Sequence, residues 1–196
     1  MNKTRVSLSI VASCLLLSCG DSRSIEEKAA QIETLLANNN VSEATIHAKN
    51  LVAEDLNNAQ ARYLLGQAYY QVGRFADAEK EFTKAYDLEP KNAEFIEALV
   101  SALYFTESTD FAEKVFEDAS DLTERGLYYK YLNAVKLNDG DAINQLLEQG
   151  SQITNEPYRS LFAAAKLIKT NEFKQAFQAL QLAATQHEQI ELLQLY

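Results

Sequence analysis

Residues 59–92 constrain the fold more than any other stretch of the chain. Two runs of apolar and small side chains at helical spacing are separated by a glycine and closed by a proline. In the first run Tyr63, Gly66 and Tyr70, and beside them Leu65, Tyr69 and Val72, recur three or four positions apart, which lines them up on one helix face. Gly73 interrupts the pattern, and Phe75, Ala78, Phe82 and Ala85 form a second stripe. Pro90 then stops the second helix, because its ring does not fit a helix interior. A glycine in mid-helix costs about 1 kcal/mol relative to alanine, so Gly66 implies a compensating gain in packing. Gly66 and Ala78 are small where two antiparallel helices have to approach closely.

Counted within this 34-residue window, Leu65, Gly66, Tyr69, Ala78, Phe82, Ala85 and Pro90 fall at positions 7, 8, 11, 20, 24, 27 and 32. Those types at those positions resemble the tetratricopeptide (TPR) repeat, a helix–turn–helix unit. Position 4, where that family usually carries an aromatic, holds Arg62. The resemblance implies an all-α fold, a right-handed TPR superhelix of about five helix–turn–helix repeats.

Composition agrees with a helical chain. Of 196 residues only six are Gly and two are Pro, while Ala, Leu, Glu, Gln and Lys, all good helix formers, dominate. Strand-like alternation rich in Val, Ile and Thr is absent. The net charge of −10 repels phosphate backbones, so nucleic acid is a poor partner. Proteins, including basic or peptide-like segments, are the expected partners, and neither cofactor nor metal is implied. The two cysteines, Cys14 and Cys19, both lie near the start. Neither can staple the body of the fold, and zinc-type Cys/His spacing is missing.

The first twenty residues read MNKTRVSLSIVASCLLLSCG. Lys3 and Arg5 are followed by an apolar run over residues 6–17, too short for a spanning helix, which needs about 20 residues. Leu16, Leu17, Ser18 and Cys19 then resemble the lipobox of bacterial lipoprotein signal peptides. The resemblance implies a signal peptide over residues 1–18, a lipidated Cys19 as first mature residue and a polar tether over residues 19–24. Three acyl chains, at about 0.8 kcal/mol per buried methylene, would hold the chain permanently on a membrane. Val11 to Cys14 fit a lipobox more loosely, with too short an apolar run before them. In enterobacterial lipoproteins an Asp directly after the cysteine marks inner-membrane retention. Gly20 stands there, so the outer membrane is expected, with the body facing the periplasm.

The repeat continues on both sides. Residues 25–58 align in phase as a degenerate first copy, with Ile32, Leu35, Ala44, Ala48 and Leu51 at core positions and Asn38, Asn39 and Asn40 at the turn, where Asn tolerates left-handed angles. Residues 93–126 form a third copy with Ile96, Leu99, Leu103, Ala112, Phe116 and Ala119; Asn92 is a candidate N-cap, and Val100 in place of the glycine suggests a wider helix spacing. Residues 127–156 make the poorest copy, with a turn expected at Asp139, Gly140 and Asp141 and Gly150 as its helix stop. Pro157 opens a fifth copy over residues 157–190, carrying Ala164, Leu167, Phe173, Ala176, Leu180 and Ala183. Residues 190–196 begin what looks like another first helix, which packs back as a cap, continues into a longer array or docks a partner.

In the family, first-helix residues line a concave groove. Here the matching positions give Gln60, Tyr63, Gln67, Tyr70 and Gln71, then Glu94, Glu97, Ser101, Tyr104 and Phe105, then Tyr128 and Tyr131. Tyrosine offers apolar area with a polar tip at low entropic cost, which suits peptide binding; the same rings could also pack between neighbouring helices. The family's carboxylate clamp is not matched, since Tyr63 and Gln67 stand where its first two members would be. An acidic, aromatic groove predicts a partner segment bearing Lys or Arg beside apolar anchors. Enzyme signals are poor. His47 and His187 lie far apart, phosphate loops and nucleophile elbows are missing, and Glu26, Glu27, Glu79 and Glu81 are expected on solvated helix faces. The chain looks like a TPR lipoprotein of a Gram-negative envelope, similar to the N-terminal part of exosortase or exopolysaccharide-system lipoproteins. Lipoproteins that assist pilus secretin assembly are a second resemblance. Both imply a scaffold; an auxiliary or substrate-presenting subunit of an envelope enzyme is the alternative.

Overall fold

Ser24 sets the first helix. Its hydroxyl accepts from the Glu27 N–H while the Glu27 carboxylate accepts from the Ser24 N–H, so two donors that a helix start leaves open are satisfied reciprocally. The computed structural model describes residues 23–119 and 121–186; Cys14 and Cys19, His187 and the segment 190–196 lie outside the described residues. Among those described there are ten helices and no strand: α1 (Ile25–Ala37), α2 (Val41–Glu54), α3 (Ala59–Gln71), α4 (Phe75–Leu88), α5 (Ala93–Phe105), α6 (Thr109–Asp118), α7 (Glu124–Leu137), α8 (Gly140–Gly150), α9 (Tyr158–Lys169) and α10 (Phe173–Gln186). They form five helix–turn–helix pairs stacked in chain order. The first helices of successive pairs pack on one another, α1 on α3, α3 on α5, α5 on α7 and α7 on α9, whereas the second helices α4 and α6 meet through side chains, Tyr86 donating to Asp118 at 3.4 Å. This is the all-helical superhelix expected. No described helix is long and apolar enough to cross a membrane.

The pair α3–α4 shows why the spacing works. A Cβ placed on Gly66 would stand 2.5 Å from two ring carbons of Phe82, so the glycine is what lets Phe82 lie flat against α3. Leu65, Ala78, Phe82 and Ala85 are buried with it, and Tyr69 is half-buried. Val72, expected in the apolar stripe, instead caps α3 and is mostly exposed; Ala61, Leu64 and Ala68 fill that face. Pro90 follows the end of α4, as expected of a helix stop. Arg62, in the usual aromatic position, donates to the Leu56 carbonyl and to the Glu81 carboxylate at 2.7 Å. An ion pair thus ties α3 to α4 and to the preceding turn where an aromatic ring would otherwise pack. Glu81, expected on a solvated face, is only 7% exposed, because Arg62 and Lys84 both neutralise it. Burial disfavours its charge, but hydrogen bonds from these two cations outweigh that and hold its carboxyl below the usual carboxylate range.

Each pair turns on one residue with left-handed backbone: Asn39, Gly73, Glu107, Asn138 and Asn171, spaced 34, 34, 31 and 33 residues apart. The spacing of 31 corrects the fourth repeat. Its first helix begins at Glu124 and not at Leu127, because α6 has 10 residues where α4 has 14. The turn there is made by Asn138. Asp139 is the N-cap of α8, accepting from the Asp141 and Ala142 N–H groups, and Gly140 is already helical. Gly150 ends α8, yet without a left-handed cap: a Cβ on it would collide with the Phe162 ring. It is a second close-approach glycine, between α8 and α9. Asn92 caps α5 as expected, accepting from the Glu94 N–H at 3.1 Å. Phe75 stacks on Phe105 of the next pair with centroids 4.2 Å apart. Phe173, its equivalent in the last described pair, is 60% exposed.

Candidate functional site

The stacked first helices α3, α5 and α7 enclose an open cleft of 340 Å³. It gathers seven of the twelve expected groove residues, Tyr63, Gln67, Tyr70, Gln71, Glu94, Glu97 and Ser101. Tyr63 is only 5% exposed, its ring tilted against Phe82 and Phe95 at centroid distances of 5.8 and 5.1 Å. Its hydroxyl donates to the Glu94 carboxylate at 2.6 Å and accepts from the Gln67 side-chain amide. Burial first, and then the bond to Glu94, push the Tyr63 hydroxyl pKa well above its usual range, so it stays a donor. The result is a directed chain, Gln67 to Tyr63 to Glu94, that fixes one oxygen of a carboxylate while Glu94 itself remains exposed. Glu97 accepts from the Thr123 hydroxyl.

The other five groove candidates, Gln60, Tyr104, Phe105, Tyr128 and Tyr131, lie elsewhere, Phe105 in its stack on Phe75. Gln60 sits nearer the N-terminus, donating to Glu33 at 3.1 Å. Tyr104 is half-buried, with the Lys136 ammonium 3.9 Å above its ring. Tyr128 is buried edge-on against Phe162 at 5.2 Å, and Tyr131 packs on the same ring at 5.7 Å. These two rings join α7 to α9 and do not open to the cleft. Tyr70 is buried too, in contact with Phe75 and Phe105, its hydroxyl 3.4 Å from that of Tyr129. Ring stacking between neighbouring first helices explains why these tyrosines are less exposed than groove residues are expected to be.

Two cations on this face were not anticipated. Arg125, on α7, lines the same cleft as the carboxylates of α5, with its guanidinium 5.9 Å from the Tyr129 ring centroid. Burial works against its charge, but Tyr129, Tyr158 and Tyr70 around it more than offset that and raise its pKa. Burial also pushes the Tyr158 hydroxyl up to about 12. Lys136 is held over Tyr104, and partial burial lowers its pKa. Both were missed because a strict 34-residue count places Tyr128 and Tyr131 at groove positions. Counting from the left-handed Asn138 keeps Tyr128 at a groove position, moves Tyr131 off it and adds Arg125 and Lys136. Thr123, an N-cap accepting from the Gly126 N–H, is the sequence signal that marks the true start.

The geometry can hold an extended chain by polar contacts, with the carboxylates of α5 and the guanidinium of Arg125 on α7 lining one cleft. Among the described residues no group of three His, Cys, Asp or Glu could hold a metal ion, and His47 lies beside Glu43 on α2 at 3.7 Å.

Stacked helix pairs with a side-chain-lined inner cleft define a helical-repeat solenoid of the kind that binds other proteins. The family model of the tetratricopeptide repeat matches residues 59–92. Two solved structures share the architecture. A tetratricopeptide repeat protein from Parabacteroides merdae superposes with a TM-score of 0.62 at 14% identity, over 86% of this chain and 69% of that one. YrrB, described as a TPR protein with an unusual peptide-binding site, superposes with a TM-score of 0.58 at 19% identity, over 88% of this chain and 90% of that one. Comparison with curated proteins finds no match. The fold is therefore that of a TPR protein, and residues 59–92 are a TPR repeat.

Proposed function

We propose that the chain is a lipid-anchored TPR scaffold that holds a protein partner of a Gram-negative envelope in the cleft between α3, α5 and α7. The observation that carries the reading is the Gln67–Tyr63–Glu94 hydrogen-bond chain. It orients an exposed carboxylate beside Glu97 on the cleft wall, ready for a Lys or Arg of an extended segment. Arg125 of the neighbouring helix α7, which lines the same cleft, favours an acidic group in the same segment, so the partner is of mixed charge. The peptide-binding site named for YrrB, on the same fold, makes a peptide ligand a reasonable expectation. The lipobox-like stretch ending at Cys19 supports attachment to the outer membrane with the solenoid in the periplasm, where secretion or polysaccharide-export machinery would supply the partner.

The test is crosslinking of the acylated chain in cells, followed by identification of envelope proteins held by wild type and lost with Glu94→Gln and Arg125→Ala. Recovery of the same proteins by all three chains would rule out the cleft as the binding site. Recovery of no envelope protein by any of them would rule out the scaffold.

A further inference from the structure

We propose that a second cleft, on the side of the second helices between α6, α7 and α8, docks a protein segment that presents one apolar side chain flanked by Lys or Arg. It does not depend on the α3–α5–α7 cleft, with which it shares α7 but none of the lining residues.

The cleft has a volume of 210 Å³, and Phe116, Ala134, Leu137, Ala142 and Leu146 form its apolar lining. Its origin is visible by comparison with the preceding pair. Counted from the left-handed residues Glu107 and Asn138, Ala134 stands where Leu103 does one repeat earlier, and Ala142 stands where Phe111 does. Leu103 is fully buried and Phe111 packs against the core, so the chain fills that earlier junction with its own side chains. At the α6–α7–α8 junction two alanines replace them, and the space is left open. Leu137 at its edge is 39% exposed. An incoming side chain would restore the contacts that Leu103 and Phe111 make.

Charge selects what flanks that side chain. Glu113 and Glu117 lie four residues apart on α6, both exposed, and share the rim with Asp139; residues at that spacing lie on one helix face. Asp139 spends one oxygen capping α8. The one cation lining the cleft, Lys130, rests 5.9 Å from the Phe116 ring centroid. Carboxylates outnumber cations on the rim, so a segment with Lys or Arg beside its apolar residue is attracted and an acidic one is repelled.

The experiment titrates the full chain, labelled for amide NMR, with acetyl-Gly-Lys-Phe-Lys-Gly-amide and in parallel with acetyl-Gly-Glu-Phe-Glu-Gly-amide. The lysine peptide should shift amides around Ala134, Leu137 and Ala142 and bind about tenfold tighter than the glutamate peptide. Ala142→Phe should fill the cleft and abolish those shifts. Glu113→Gln with Glu117→Gln, at exposed positions that leave the core intact, should narrow the gap between the two peptides to less than about threefold, and decides the matter if Ala142→Phe does not fold. Tyr63→Phe should leave these shifts unchanged, which separates this cleft from the other. Equal binding of both peptides, shifts confined to α3 and α5, or an unaltered response in a folded Ala142→Phe chain would overturn the proposal.

Discussion

Phe82 of α4 lies across the place that a Cβ on Gly66 of α3 would take, with two ring carbons 2.5 Å from it. Both partners are buried, so neither ring nor helix can move aside without disturbing Tyr63 and Tyr70, which pack on the same ring. Gly66→Leu should overpack the pair and destabilise the fold by about 1–3 kcal/mol. For a domain of this size that corresponds to a melting temperature lower by roughly 2–4 °C per kcal/mol. Thermal unfolding by circular dichroism measures it; an unchanged transition would mean that α3 and α4 are not held this close. Gly150→Ala should behave in the same direction against Phe162, whereas Gly140→Ala, with nothing within 4 Å, should be neutral or slightly stabilising, by up to about 1 kcal/mol.

The Arg62–Glu81 pair predicts a pH dependence. The folded-state pKa of Glu81 lies below its ordinary value, so ionised Glu81 favours the folded chain. That contribution is fully present above the ordinary carboxylate range, roughly pH 4–5, and is lost as the pH falls through the lower folded value. Glu81→Gln should therefore destabilise the chain at pH 7 and flatten the acid limb of its stability profile. Glutamine keeps an acceptor for Arg62 but removes the charge that offsets the guanidinium. The cost should be about 2 kcal/mol, less than the roughly 3–5 kcal/mol of a fully buried pair, because Lys84 keeps its own contact with water. Denaturant titrations at pH 7 and pH 4 for both chains provide the comparison; parallel pH profiles would show that Glu81 does not titrate with folding.

How much of this was legible depends on which signal carried each element. The packing of the α3–α4 pair could be read, since Gly66, Ala78, Phe82 and Pro90 each have one physical reason to stand where they do, but the exposure of Val72 and the burial of Glu81 against Arg62 could not. The fourth pair could not be read by counting. Glu107 and Asn138 take left-handed backbone with φ of 61° and 55°, and nothing in the propensity of glutamate announces that. Asp139, Gly140 and Asp141 look more like a turn than Asn138 does, yet they form a helix start, because an aspartate N-cap satisfies the first donors. The resulting error of three residues hid Arg125 and Lys136 and made the groove look more acidic than it is. Burial of Tyr63, Tyr70 and Tyr128 was equally invisible, because a ring at a groove position can serve binding or stacking, and only the neighbouring helix decides which.

Tyr63→Phe separates those two roles of a single residue. The ring, packed on Phe82 and Phe95, is kept, and only the hydroxyl between Gln67 and Glu94 is removed. Both former partners can reach water, so the stability loss should be small, about 1 kcal/mol. If the hydroxyl exists to aim Glu94, affinity for a lysine-bearing segment in the α3–α5–α7 cleft should fall several-fold at unchanged thermal stability. Isothermal titration with a lysine-containing peptide, alongside Glu94→Gln, reads it out; equal affinity in the Tyr63→Phe chain would reduce Tyr63 to a packing residue.

Cys19 predicts where the solenoid works. A thiolate is the nucleophile that a lipid donor requires, Ser18 before it is small enough for a peptidase subsite, and the apolar run ahead of it is too short to span a bilayer, which needs about 20 residues. Attachment should therefore depend on acylation. Cys19→Ala should leave the chain as a soluble protein or an unprocessed precursor, while Cys14→Ala should be processed and anchored like wild type. Metabolic labelling with an alkyne fatty acid, followed by separation of membrane and soluble fractions, distinguishes the two cysteines. Full membrane attachment of the Cys19→Ala chain, extractable only by detergent, would mean that the leader itself holds the protein in the bilayer and that the lipobox resemblance is without consequence.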